Sequence, residues 1–308
     1  MRIRIVSLSV LSAMALSAGL ISGCSSDDDT TVGASTSESR SAAADETSAD
    51  GKGRYAEING GRLYYETHGT GRPLILLHGG LATAESTFSA FIPELSMTRQ
   101  VISVELQAHG HTPDRERPLS YESLADDIAA LITHLNLGKA DLFGYSLGGG
   151  VALQVAARTP DLVSRLAIAS APYRSDGWRP ETRAGIAAMN PDAMRDTPLY
   201  QLYSSVAPDP AGWTSLVTKT RQLLTQDYDW TAQLAKIPSP TLVLTAESDA
   251  LYREHVTDMV FRLDTGKAAS ARLENSPEHH ALRHHVPVRS APAAAHFIPR
   301  VGDWPVVL

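Results

Sequence analysis

Short, continuous apolar runs recur along most of the chain, and between them apolar residues fall three or four apart. The runs are PLILLH (73–78), QVISVE (100–105), KADLFGYS (139–146), RLAIAS (165–170) and PTLVLTAESD (240–249). Runs of this length, bounded by turn residues, predict strands buried on both faces, as in a parallel sheet. Between the second and third runs, Leu124, Ile128, Leu131, Ile132 and Leu135 have helical spacing, with Ser120 before them and Gly138 after; these are start and stop signals for a helix. GGGVALQVAARTPDLV predicts a second helix, from about Gly149 and ending before Pro160. Two shorter runs, YAEING and RLYYETHG, meet at Asn59-Gly60-Gly61 and predict a hairpin. Strands alternating with helices imply an α/β fold with a mostly parallel, doubly wound sheet. No internal repeat is present.

The alternation lapses between Ala171 and Ile237. This stretch contains Trp178, Trp213, Trp230, Tyr200, Tyr203 and Tyr228, with short helices expected near 181–189, 197–206 and 212–226. Helical pieces dense in aromatics predict a cap over one end of the sheet, at about 172–237, whose aromatics chiefly fill its own core.

The first 53 residues follow a different pattern. Arg2 and Arg4 precede an uncharged apolar and small-residue run from Ile5 to Ile21, then Ile-Ser-Gly and the chain's only cysteine, Cys24. This resembles a bacterial lipoprotein signal (1–23), cleaved so that Cys24 carries the lipid; the run itself is marginal in length for spanning a bilayer. Residues 24–53 are rich in Ser, Thr, Ala and Asp, and predict a disordered tether. The folded domain is then expected at 54–308, outside the cytoplasm and held to a membrane by its acyl chains. Charge follows the same division. The signal carries +2 and residues 25–53 carry −5, which leaves −4 of the total −7 for the domain. A mildly acidic domain has no basic face for nucleic acid. At 43% hydrophobic and 20% charged residues, its composition suits an ordinary core.

Candidate chemistry lies at the ends of the strand runs. GYSLG, Gly144 to Gly148, fits G-x-S-x-G between a strand and a helix, which makes Ser146 the candidate nucleophile. LLHGG follows an early strand. Acyl transfer needs two N–H groups aimed at the developing oxyanion. Leu147 supplies one in this reading, and Gly80, or alternatively Leu81, the other. His78 could be a base, but a role in holding this loop is the simpler expectation. Asp249, with Glu247 as its rival, follows a strand about 100 residues after the serine, which matches the chain order Ser…Asp…His.

These motifs together, LLHGG, ELQAHGHT, FGYSLGGGVALQVAARTPDLV and PTLVLTAESD, resemble the α/β-hydrolase superfamily across nearly all of 54–275. The resemblance implies a serine hydrolase acting on a small ester or lactone, or a perhydrolase with the same triad, with no cofactor in either case. The Asp-nucleophile members, haloalkane dehalogenases and epoxide hydrolases, fit less well because the elbow holds Ser146. Where relatives often read D-x-R-G-x-G-x-S this chain has ELQAHGHT, so an arginine-dependent contact is not expected at Gln107.

The base is harder to place. Relatives carry it about four residues after a proline that follows the last strand. Here Pro277 is present, but the fourth position is Ala281; His280 misses by one and is the best literal candidate among His279, His280, His284 and His285. The spacing of the four on an expected irregular loop matches no metal-ligand set. If no imidazole reaches Ser146, the chain is a non-catalytic relative. Beyond it, Pro287, Pro292, Pro299 and Pro305 rule out the closing helix that the resemblance implies. A one-base shift of reading frame near Pro277 accounts for both departures: read from the second base of each codon, Glu278–Leu282 can encode Asn-Thr-Thr-His-Tyr, with histidine at 281. The codon of Ala281 is therefore expected to be GCA, and sequencing the coding DNA to find any other codon there would refute the shift.

Overall fold

The computed structural model describes residues 45–246, 248–263, 268–273 and 283–285. The strands are β1 (Glu46–Thr47), β2 (Arg54–Ile58), β3 (Gly61–His68), β4 (Arg72–Leu77), β5 (Arg99–Val104), β6 (Ala140–Tyr145), β7 (Val163–Ala169), β8 (Thr241–Ala246), β9 (Ala268–Leu273) and β10 (Arg283–His285). The helices are α1 (Ala84–Phe88), α2 (Ile92–Leu95), α3 (Tyr121–His134), α4 (Leu147–Arg158), α5 (Pro180–Ala187), α6 (Pro198–Val206), α7 (Trp213–Thr225), α8 (Thr231–Leu234) and α9 (Arg253–Leu263). All ten described strands form one sheet in the order β1-β2-β3-β5-β4-β6-β7-β8-β9-β10. The six strands from β5 to β9 are parallel, and the two margins are antiparallel. The order reverses at β4, between β5 and β6, so their C-terminal ends flank a topological switch point, where open α/β sheets bind ligands.

The expected apolar runs are the central strands. Leu74, Ile75, Leu76 and Leu77 of β4 are all at most 1% exposed, because helices cover both faces of the sheet at that point. The expected hairpin is β2–β3, turning at Asn59, whose φ of 49° lies in the left-handed region that Asn tolerates. Ser120 caps α3, its Oγ accepting from the Ser123 N–H at 3.0 Å. α4 begins at Leu147, two residues earlier than the apolar pattern suggested, since Ser146 itself is the residue that precedes the first turn.

Two expectations change. The tether does not extend to residue 53. Residues 45–53 belong to the domain: Glu46 and Thr47 pair with Tyr55 and Arg54, and the Asp45 carboxylate accepts from Tyr65 Oη at 2.6 Å and contacts His134 Nε2 at 2.7 Å. Polar side chains hold this segment, so no apolar run announced it. Also, the histidine-rich stretch is not irregular throughout, because the backbone of Arg283–His285, including His284 and His285, pairs antiparallel with β9. His279, His280 and the proline-rich residues 287–305 lie outside the described residues, as do Cys24 and Glu247.

The insert forms α5 to α8. Trp213 is fully buried between Tyr200 and Tyr203, at ring-centroid distances of 5.4 and 5.5 Å, and its Nε1 donates to Pro191 O at 2.9 Å. Leu216 and Val217 of α7 continue this cluster onto Leu81 and Ala108 in loops above the sheet. Trp178, Tyr228 and Trp230 instead join the main core, the last two against Tyr121 of α3.

A polar chain anchors α7 to the body of the domain. Buried Asp127 of α3 binds Arg115 and Arg117; Arg117 Nε donates to Gln107 Oε1 at 2.5 Å, and Gln107 Nε2 donates to Asp114 at 3.0 Å. Asp114 then receives Ser215 Oγ at 2.6 Å and Lys219 Nζ at 2.7 Å, both from α7. Gln107 thus replaces the arginine of the resembling motif, and Arg117 supplies the guanidinium from ten residues downstream. Burial raises the Asp114 carboxyl, but the bonds from Lys219, Ser215 and Gln107 outweigh it and hold the pKa below the ordinary value. A folded-state pKa lowered in this way contributes stability above the unfolded value of about 4, which is lost as pH falls through the folded value. Asp114→Asn is expected to be less stable than the parent in urea unfolding at pH 7, with the gap closing below about pH 4; a gap that persists undiminished at pH 3 would contradict this linkage.

Candidate active site

The elbow is dictated by close packing of backbone. β6 must turn into α4 within one residue, and Ser146 takes φ 52° and ψ −115° to do so. Such a conformation costs a non-glycine residue about 1–3 kcal/mol and persists only where its surroundings over-determine it. They do so here. A Cβ on Gly144 would collide with the Gly148 carbonyl, and one on Gly148 with the carbonyls of Leu77 and His78. Gly148 N–H donates to His78 O at 3.0 Å, and Ser146 N–H to Ala169 O at 2.8 Å, so the turn is bonded to the ends of β4 and β7. Ser146 is half-buried, and its Oγ makes no capping bond to the helix it precedes.

The His78–Leu81 loop lies beside this serine. A Cβ on Gly79 would sit 3.5 Å from the Ser146 Cβ and 3.1 Å from the Tyr145 ring. At Gly80 the same construction meets Thr220 at 3.0 Å and Leu224 at 3.6 Å, so α7 of the cap closes over the loop. The backbone N–H groups of Gly80 and Leu147 donate to no acceptor among the described residues. Two backbone donors without an acceptor among the described residues therefore lie in the loop beside Ser146 and in the first turn of α4.

His78 serves the loop. It is fully buried, Leu106 N–H donates to its Nε2 at 3.1 Å, and its Nδ1 pairs with Gly79 O at 2.7 Å. Accepting at one nitrogen leaves the proton on the other, so the ring is neutral and donates to Gly79. Burial, and then neighbouring His109, push its pKa down to about 3. A ring with both nitrogens bonded to backbone has neither left to take a proton from Ser146.

Asp249 lies in the loop after β8, one strand beyond β7. Its Oδ2 accepts from Ser170 Oγ at 2.8 Å and from Ala246 N–H at 3.0 Å, and its Oδ1 from Leu251 N–H at 3.1 Å. Ser170 was not anticipated. It follows Ala169, takes φ 51°, and donates its own N–H to Leu244 O at 3.2 Å. The backbone of Ser146 is therefore bonded to residue 169, and the carboxylate of Asp249 to residue 170. The structure brings Ser146, Leu147, Gly80 and Asp249 to the C-terminal ends of the parallel strands β6, β4 and β8, with β7 between β6 and β8; His280, the expected base, lies outside the described residues. No group of His, Cys, Asp and Glu able to hold a metal occurs among the described residues.

Residues 72–208 match the family model described as the alpha/beta hydrolase fold. The chain has the α/β-hydrolase fold. A meta-cleavage product hydrolase from Pseudomonas fluorescens superposes with a TM-score of 0.60 at 20% identity, over 72% of this chain and 89% of that one. The enol-lactonase from Burkholderia xenovorans gives 0.57 at 22% identity, over 71% and 90%. In sequence, a soluble epoxide hydrolase from a Corynebacterium is 37% identical over 116 residues, 37% of this chain and 39% of its own length. The chain spans less than half the length of several such curated relatives. GYSLG lies within the matched residues.

Ser170→Ala removes one hydroxyl donor from Asp249 and is expected to cost about 1 kcal/mol in urea unfolding, whereas Gly148→Ala, which drives a Cβ into two backbone carbonyls, should cost about 3 kcal/mol or more. Equal and negligible losses in both would mean that the elbow is not packed as described.

Proposed function

We propose that the protein is a serine hydrolase that cleaves a small ester or lactone. Ser146 Oγ attacks the substrate carbonyl while an imidazole, His280 in this reading, takes the serine proton. Asp249 orients that imidazole and stabilises it once protonated. The N–H groups of Leu147 and Gly80 receive the negative charge that develops on the carbonyl oxygen. The imidazole then returns the proton to the leaving alcohol; water repeats the sequence on the acyl-serine and frees the acid. The observation that carries this reading is the strained Ser146 between two uncommitted N–H donors, with an anchored carboxylate two strands away.

The substrate class follows from enclosure. α7 packs directly over Gly80, and a cap in that position favours a small molecule over a polypeptide. The enol-lactonase among the similar structures and a putative esterase/lipase from Haemophilus influenzae, 32% identical over 109 residues, fit the same choice. Serine at the elbow sets this chain apart from the Asp-nucleophile chemistry of epoxide hydrolases. We further read the protein as a lipoprotein, anchored to a membrane outside the cytoplasm through lipid on Cys24; this rests on the Arg2–Cys24 sequence pattern.

Intact-mass analysis after fluorophosphonate treatment tests the reading. One adduct per chain is expected, with the labelling rate reduced on the order of 10³-fold or more in Ser146→Ala. A folded chain that takes no label would instead identify a non-catalytic relative whose base is missing.

A further inference from the structure

The loop that carries Asp249 has an unusual fastening. Three successive carbonyls, of Asp249, Ala250 and Leu251, are all bound by a single residue, Arg179, at the threshold of the cap. Its backbone N–H donates to Ala250 O at 2.9 Å, and its side-chain Nε donates to Asp249 O at 3.1 Å and Leu251 O at 3.2 Å. The local sequence sets this up. Pro180 opens α5, and a residue before proline is pushed out of the helical region; Arg179 is extended accordingly, at φ −64° and ψ 148°. The extended segment Gly177–Arg179 runs antiparallel to the acid loop, with Trp178 opposite Leu251 and Tyr252 N–H donating to Gly177 O at 3.0 Å. No carboxylate lies within ion-pair range of Arg179 among the described residues; its side chain meets the carbonyls of 249 and 251 and lies 5.8 Å from the centroid of the Tyr252 ring.

We infer that Arg179 is the positioning residue of the catalytic acid: by holding the carbonyls of residues 249–251 it fixes the loop whose Asp249 carboxylate must meet the imidazole. The inference rests on the hydrolase reading above. Asp249 has its own donors, but two of them, Leu251 N–H and Ala246 N–H, belong to the same loop or the strand end leading into it. Among the described residues, Ser170, Arg179 and the Gly177 carbonyl tie that loop to other parts of the chain, and of these Arg179 alone binds the carbonyl of Asp249 itself. Arg179 touches neither Ser146 nor the oxyanion donors, so it acts through Asp249. Because Arg179 also immediately precedes α5 of the insert, the same contact ties the placement of the acid to the insert.

The test uses the full chain in detergent, comparing the parent with Arg179→Met and Arg179→Lys. Each is characterised by kcat and KM on a p-nitrophenyl ester, by fluorophosphonate labelling rate against pH, and by thermal unfolding. In Arg179→Met the expected loss in kcat is about 10- to 100-fold with KM little changed, the scale of a misplaced catalytic group. The labelling midpoint should also move to lower pH, because an imidazole without its carboxylate is less readily protonated. Arg179→Lys should lose several-fold and keep part of the pH midpoint, since lysine has a methylene where the arginine Nε donates to carbonyls 249 and 251 and can reach them only with a displaced ammonium. A purely structural arginine would lower the melting temperature and leave kcat per folded molecule and the pH midpoint at parental values; that result overturns the inference. Should Arg179→Met fail to fold, parental kcat and midpoint in Arg179→Lys overturn it equally. A parent chain that takes no label refutes the hydrolase reading, and the inference falls with it.

Discussion

Everything at this site depends on how closely the backbone of β6 and α4 can approach the end of β4. The glycines at 144 and 148 leave no room for a Cβ against each other or against the Leu77 and His78 carbonyls. That contact forces a one-residue reversal at Ser146, holds it at φ 52°, and lifts its side chain clear of the helix it begins. Stability and reactivity are coupled here in one direction. Strain of about 1–3 kcal/mol in one residue is tolerated because the flanking hydrogen bonds and the buried β4 and β6 strands hold the turn from both sides. The same strain keeps the Ser146 hydroxyl out of the capping bond that serines before helices ordinarily make.

Around the elbow, each neighbouring group is held by residues that do not themselves face Ser146. His78 spends both nitrogens on the loop that presents Gly80. Ser170 and Arg179 fasten the Asp249 loop to β7 and to the threshold of the cap. The chain from Asp127 through Arg117, Gln107 and Asp114 fastens α7, which in turn packs over Gly80. The cap is therefore joined to the candidate site twice, once at the Gly80 loop and once at the Asp249 loop. Movement of the cap would be felt at both.

Legibility from sequence followed the range of the interactions. The central strands, α3 and the G-x-S-x-G turn are local patterns, in which the residues that make the element are also those that reveal it. The position of the His78–Leu81 loop was legible for the same reason, since His78-Gly79-Gly80 abuts its strand. Ser170 and Arg179 were not, because each acts on a partner 70 or more residues away and neither has a distinctive local setting. The segment 45–53 was missed because it is held by side-chain bonds from Asp45, Glu46 and Ser48, in a composition that reads as a tether. Gln107 departs from the resembling motif, and only the fold reveals that Arg117 restores a guanidinium there. The expected base at His280 and the lipid site at Cys24 fall outside the described residues and rest on sequence pattern.

A crystal structure of the chain after reaction with a dialkyl phosphoryl inhibitor would test the central claim most directly. The account predicts phosphorus bonded to Ser146 Oγ, the phosphoryl oxygen within hydrogen-bonding distance of the Leu147 and Gly80 N–H groups, and an imidazole resting on the Asp249 carboxylate. A phosphoryl group on any other residue, or one on Ser146 whose oxygen faces away from both N–H groups, would contradict it.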